Sequence, residues 1–281
     1  LPVFVLYAPG LEGATPLTVG IALGAYGLTQ AVLQVPFGML SDRYGRKRML
    51  SIGLLLFVFG SVVAALSSSI EGIILGRAIQ GTGAISAVVL ATLSDLTREQ
   101  TRTKAMAVVG VSIGFSFLLA LMLGSSLVQW HGLSGLFWIT ACLAAAAVLV
   151  VWLTVPTATR VSASVEIQPV RSQISAVLFN RQLQGLNLGI FVLHMTLMAL
   201  FIAVPVGLRD ILDLVSASHW QFYVPVLVCS VFGMVPLLIY GMRRPRTFAV
   251  FRLAIALLLA AQLILIIGTD HVAFLIAGVW L

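Results

Sequence analysis

The chain has 281 residues, of which 60% are hydrophobic and only 9% charged, with a formal net charge of +7. A mean hydropathy of +1.11 lies far outside the range of soluble globular chains and marks an integral membrane protein. Cys142 and Cys229 stand alone in separate apolar runs, and no phosphate loop or nucleophile motif is present, so no metal site, cofactor or enzymatic activity is expected.

The opening residues, LPVFVLYAPG, carry no basic stretch ahead of their apolar run, so they do not read as a cleaved signal peptide. The expectation is a first helix truncated at Leu1. Crossing a hydrocarbon core of ~30 Å takes ~20 helical residues. Eight runs reach that length: Leu17–Leu40, Met49–Leu66, Ile70–Leu93, Ala105–Val128, Leu133–Val155, Leu186–Leu208, Phe222–Tyr240 and Thr247–Gly268. Partial runs, Leu1–Tyr7 and Val272–Leu281, flank them. Backbone groups cannot go unpaired in lipid, and runs this long without strict alternation predict helices. The fold class is therefore all-α, a polytopic membrane helix bundle.

Charge orients the spans, because Lys and Arg accumulate in cytoplasmic connections. The connection after the first full span holds Arg43, Arg46, Lys47 and Arg48, and the one two connections later holds Arg98, Arg102 and Lys104. Arg160, Arg171 and Arg181 follow, then Arg243, Arg244 and Arg246, with Arg252 just inside the next span. Thus 14 of the 16 basic residues fall on one side, and the other carries Glu12, Glu71, Asp210, Asp213 and Asp270 with Arg209. The pI of about 10.1 is then a topology signal and no nucleic-acid partner is expected.

The long polar connection between Pro156 and Gln184 divides the chain. Residues 1–155 are expected to form one helix bundle, 156–184 a cytoplasmic linker, and 185–281 part of a second bundle. Within the linker, Val170, Ile174, Val177 and Leu178 share one face at helical spacing. That pattern suits a short helix on the membrane surface, with an unstructured linker as the alternative.

One stretch, GMLSDRYGRKRML (Gly38 to Leu50), concentrates charge in the first cytoplasmic turn. Gly38 and Gly45 are small enough for helix ends to approach. Asp42 stands near helix ends, where a carboxylate can accept from free amides or pair with a cation, and Arg46 can reach an acid on another helix.

This stretch resembles the signature of the major facilitator superfamily between its second and third helices, through Gly38, Leu40, Asp42, Arg43, Gly45, Arg46, Lys47 and Leu50. A second superfamily pattern is matched by LGRAIQGTGA, at Arg77, Gln80 and Gly81. With LSDLTREQTRTKAMA and VLHMTLMALFIAVP, the chain is similar to the drug:proton antiporter branch along its whole length. The resemblance implies twelve helices in two six-helix bundles, of which this chain would cover about ten, the first and last truncated. It also implies that Asp42, Arg46 and Asp95 form a cytoplasmic latch, closed in the outward-facing state and released in the inward-facing one. An ordinary acid at a helix end is the other reading of Asp95. Where exporters carry a Gly-Pro step in the fifth helix, this chain has Gly124 and Ser125.

Polar residues inside apolar runs usually face a cavity. Gln30 and Gln34 share a face of the first full span, Arg77 and Gln80 lie in the third, and Asn187 and His194 follow the linker. Arg77 is the functional candidate among them. The glutamines suit either helix-to-helix hydrogen bonding or substrate contact, and His194 either packing or proton handling. The expectation is a multi-pass, monomeric transporter of the inner (plasma) membrane. It would move a small amphipathic or lipophilic molecule by alternating access, as proton-coupled efflux driven by the proton gradient. A sugar or metabolite porter of the same fold is the alternative, with a channel or membrane-embedded enzyme as the reading from other classes.

Overall fold

The computed structural model describes residues 2–156, 179–210, 219–241, 247–267 and Gly278. The surface helix expected around Val170 to Leu178 lies outside them, as do Asp213, Asp270 and the arginines at 243, 244 and 246. Regular structure among the described residues is helical: α1 (Pro2–Tyr7), a 3-10 turn (Ala8–Gly10), α2 (Pro16–Tyr44), α3 (Arg46–Leu66), α4 (Ile70–Thr82), α5 (Ser86–Leu96), α6 (Glu99–Thr154), α7 (Arg181–Asp210), α8 (His219–Gly241) and α9 (Thr247–Ile267). Seven helical segments among the described residues are long and apolar enough to cross a membrane. The eighth expected span is α8, a 23-residue helix that accommodates Pro225 and Pro236.

Two expected spans differ in detail. Ile70–Leu93 is not one continuous helix: residues Gly83 to Ile85 separate α4 from α5. Gly83 N–H donates to the Gln80 carbonyl, and Ile85 N–H to the Gly83 carbonyl at 2.7 Å. Gly83 and Ala84 are buried, so this irregular backbone is shielded by protein, the condition for tolerating it at membrane depth. Conversely, Ala105–Val128 and Leu133–Thr154 both lie within α6, which is two helices meeting at a kink at Gly132, whose φ of 67° and ψ of −177° leave the helical region.

Local signals set the helix starts. Thr15 caps α2 through a reciprocal exchange with Thr18, and Pro16 occupies the first turn, where its missing N–H costs nothing. Ser69 accepts from Gly72 N–H at the start of α4.

The chain divides into two compact units. One comprises Leu1–Leu6, Ile113–Trp130 and Phe201–Leu281; in it the rings of Phe117 and Phe201 stack at 5.2 Å. The other comprises Tyr7–Ser112 and His131–Leu200 and contains α2 to α5. Within it α4 packs against both α2 and α3, burying Ile70, Ile73, Gly76, Gln80 and Gly81 on one helical face. The seam is built from small residues. A methyl on Gly60 would come within 2.5 Å of the Gln80 amide nitrogen, and one on Gly76 within 2.7 Å of Ala64. Phe37, Met49, Leu50, Ala84 and Val88 form an apolar cluster of their own.

A charged clamp and an embedded arginine

The candidate residues on α2 to α5 fall into two polar groups. The first joins three helix ends. Gly45 links α2 to α3 with φ of 96°, a conformation that disfavours a side chain, while open space surrounds its Cα. Its glycine therefore answers to backbone geometry and not to the close approach expected. Gly38 is likewise not crowded, since a methyl there would meet Ala87 at an ordinary 3.8 Å. The turn aims Arg46 back at α2 and across to α5. Its Nε donates to Asp95 Oδ2 at 2.8 Å, Nη1 donates to Ser41 Oγ, and Nη2 pairs with Asp42 Oδ1. The Ser41 hydroxyl in turn donates to the Gly38 carbonyl. Arg46 is mostly covered, with 17% of its side chain exposed, whereas Asp42 and Asp95 are 64% and 45% exposed. Water screens such acids, so each pair contributes roughly 1 kcal/mol or less.

Lys47, beside the clamp, has a role the sequence did not disclose. Its ammonium donates to the carbonyls of Trp152 at 2.7 Å and Val155 at 2.9 Å, and sits 5.7 Å from the Trp152 ring centroid. A cation here satisfies carbonyls that the end of α6 leaves unpaired.

The second group lies about 10 Å into the span, seven residues past the start of α4. Arg77 Nη1 donates to Gln80 Oε1 at 3.1 Å, and the guanidinium stands 4.5 Å from the Tyr26 ring centroid on α2. Gln80 is buried; its Nε2 donates to Ser61 Oγ on α3 at 2.7 Å, and the Ser61 hydroxyl donates to the Phe57 carbonyl. Tyr26 also meets Phe57 edge-on at 6.5 Å. Arg77 and Gln80, three residues apart on α4, are thus brought together. Tyr26 and Ser61 depend on the register of α2 and α3 against α4, which one-dimensional spacing does not reveal.

The remaining candidates stand apart. Gln30 Nε2 donates to Ser86 Oγ at 3.2 Å, bridging α2 to the start of α5, and Gln34 is half-buried one turn further along α2. Asn187 and His194 are exposed on α7, where His194 Nδ1 lies 2.9 Å from the Ile190 carbonyl of its own helix. Groups of three or more His, Cys, Asp or Glu able to hold a metal are absent among the described residues.

A family model described as Major Facilitator Superfamily matches residues 2–281. The chain is 45% identical over 282 residues to the inner membrane transport protein YajR of Escherichia coli (strain K12), covering 100% of this chain and 62% of that protein. It is 32% identical over 278 residues to the uncharacterized transporter BU466 of Buchnera aphidicola subsp. Acyrthosiphon pisum (strain APS), covering 98% of this chain and 71% of the relative. Among solved structures it resembles a bacterial homolog of the human lysosomal transporter Spinster, inward-facing and unoccupied, with a TM-score of 0.70, 15% identity and coverage of 99% and 68% of the two chains. It also resembles a D-xylose-proton symporter, with a TM-score of 0.62, 17% identity and coverage of 94% and 68%. At these identities the structural likeness speaks for fold alone.

Proposed function

Because the chain belongs to the major facilitator superfamily, a family of multi-pass membrane transporters and not of enzymes, we propose that the intact protein is a secondary active transporter working by alternating access. We assign it the proton-coupled efflux of a small amphipathic molecule across the bacterial inner membrane, as a monomer. The observation that carries the reading is the Arg46 clamp. One guanidinium holds the ends of α2, α3 and α5 through acids that stay 64% and 45% exposed. Contacts worth so little apiece suit a latch that must open in every cycle, where a buried network would lock.

The polar contacts within the span favour an amphipathic cargo over a sugar. Gln80 is engaged by Arg77 and Ser61, and Gln30 by Ser86, so their amides are already committed within the protein. The test is efflux of a fluorescent amphipathic dye from vesicles carrying the intact protein. Asp42→Asn and Arg46→Ala should each lower the rate at least tenfold while membrane insertion stays near the wild-type level. Wild-type rates in both variants would remove the latch and this reading with it.

A further inference from the structure

Arg77 is a cation within a membrane span, and among the described residues no carboxylate in the apolar interior pairs with it. Of the nine acids, six stand in connections or terminal turns of the described helices, and Glu166, Asp213 and Asp270 fall between the apolar runs. Among the described residues Arg77 has no carboxylate partner, and its one hydrogen bond goes to the neutral amide of Gln80. The guanidinium is nevertheless held in place. Its Cζ stands 4.5 Å from the Tyr26 ring centroid, and Gln80 is itself anchored by Ser61 at 2.7 Å. Most of its fork of N–H donors is left without a described partner.

A dehydrated charge with open donors is costly until an acceptor fills them. The fork matches two oxygens of one planar or tetrahedral anion, and it stays charged where an ammonium can lose its proton. We propose that Arg77 binds the anionic head of the transported molecule, so that the substrate is an amphiphile bearing a carboxylate or phosphate oxyanion. The inference rests on the transporter reading above and narrows it to a charge class. In this arrangement Tyr26 and Gln80 are positioning residues, which keep the guanidinium flat and oriented.

The experiment measures binding of 11-(dansylamino)undecanoate and of its methyl ester to the intact protein in detergent, by dansyl fluorescence. A trimethylammonium amphiphile of equal chain length is included. Wild type should bind the carboxylate at least tenfold more tightly than the ester. Arg77→Lys should keep the preference but weaken carboxylate binding about tenfold, because a point charge replaces the fork. Arg77→Gln should bind acid and ester alike, with retained ester binding showing that the variant is folded. Three results would overturn the proposal: no carboxylate binding by wild type, equal or better binding of the ammonium probe, or a carboxylate preference that survives Arg77→Gln. Asp42→Asn separates the two readings, since it should stop dansylundecanoate flux in vesicles without changing the binding preference. Normal flux in that variant counts against the latch, not against the anion site.

Discussion

Adjacent basic residues in the turn between α2 and α3 do different work. Arg46 turns inward to three acceptors, whereas Lys47 turns outward to the end of α6 and caps the carbonyls of Trp152 and Val155. Lys47→Met keeps the stem and removes the charge, so it should cost about 1 kcal/mol, the scale of a cation at a helix C-terminus. A thermal-shift assay should show a lowered melting point, with dye efflux largely retained if capping is its main role. His194 poses a different question. A carbonyl can only accept, so the contact with Ile190 places the proton of the neutral ring on Nδ1 and leaves Nε2 as the basic site. His194→Gln should alter the pH dependence of efflux if this residue carries the coupled proton, while leaving the maximal rate within a fewfold. Unchanged pH dependence would place the proton carrier elsewhere.

Between elements, the packing of α4 separates glycines that matter from those that do not. A methyl on Gly81 would collide with Thr29 Oγ1 and the Tyr26 carbonyl of α2, and one on Gly83 with the Gly53 carbonyl of α3. Backbone carbonyls cannot swing aside as flexible side chains do. Gly81→Ala should therefore destabilise the protein by ~1–3 kcal/mol or more. Gly24→Ala, on the same helix as Tyr26 but with open space around it, should be neutral or slightly stabilising. Melting temperatures of the two variants measured side by side decide the matter. The same close approach explains why α4 and α5 part at Gly83 to Ile85: the chain leaves the helical path where small, buried residues sit against α3. An apolar run of uniform hydropathy concealed that break, because hydropathy measures transfer to lipid and not the path of the backbone.

For the whole molecule, orientation is the strongest expectation, since it depends only on which side holds the cations. Single cysteines at Ser68, between α3 and α4, and at Gln100, at the start of α6, are both exposed and belong to opposite faces. In a background lacking Cys142 and Cys229, an impermeant maleimide on intact cells should label Ser68→Cys and spare Gln100→Cys. The reverse pattern would invert the topology.

Helical class and family membership were both legible in the chain by itself. They follow from composition, run length and two short motifs, each a property of residues close in sequence. The pairing of Arg77 with Gln80 is equally local, since residues three apart lie on neighbouring turns of one helix face. Beyond the Asp42, Arg46 and Asp95 set that the family resemblance implied, tertiary structure decided what the side chains touch. Lys47 finds α6 across more than 100 positions, while Tyr26 and Ser61 reach the Arg77 network only because small residues let α2 and α3 settle against α4. Such contacts are set by the register and separation of packed helices, and a linear pattern carries the period of each helix but not its rotation against a neighbour.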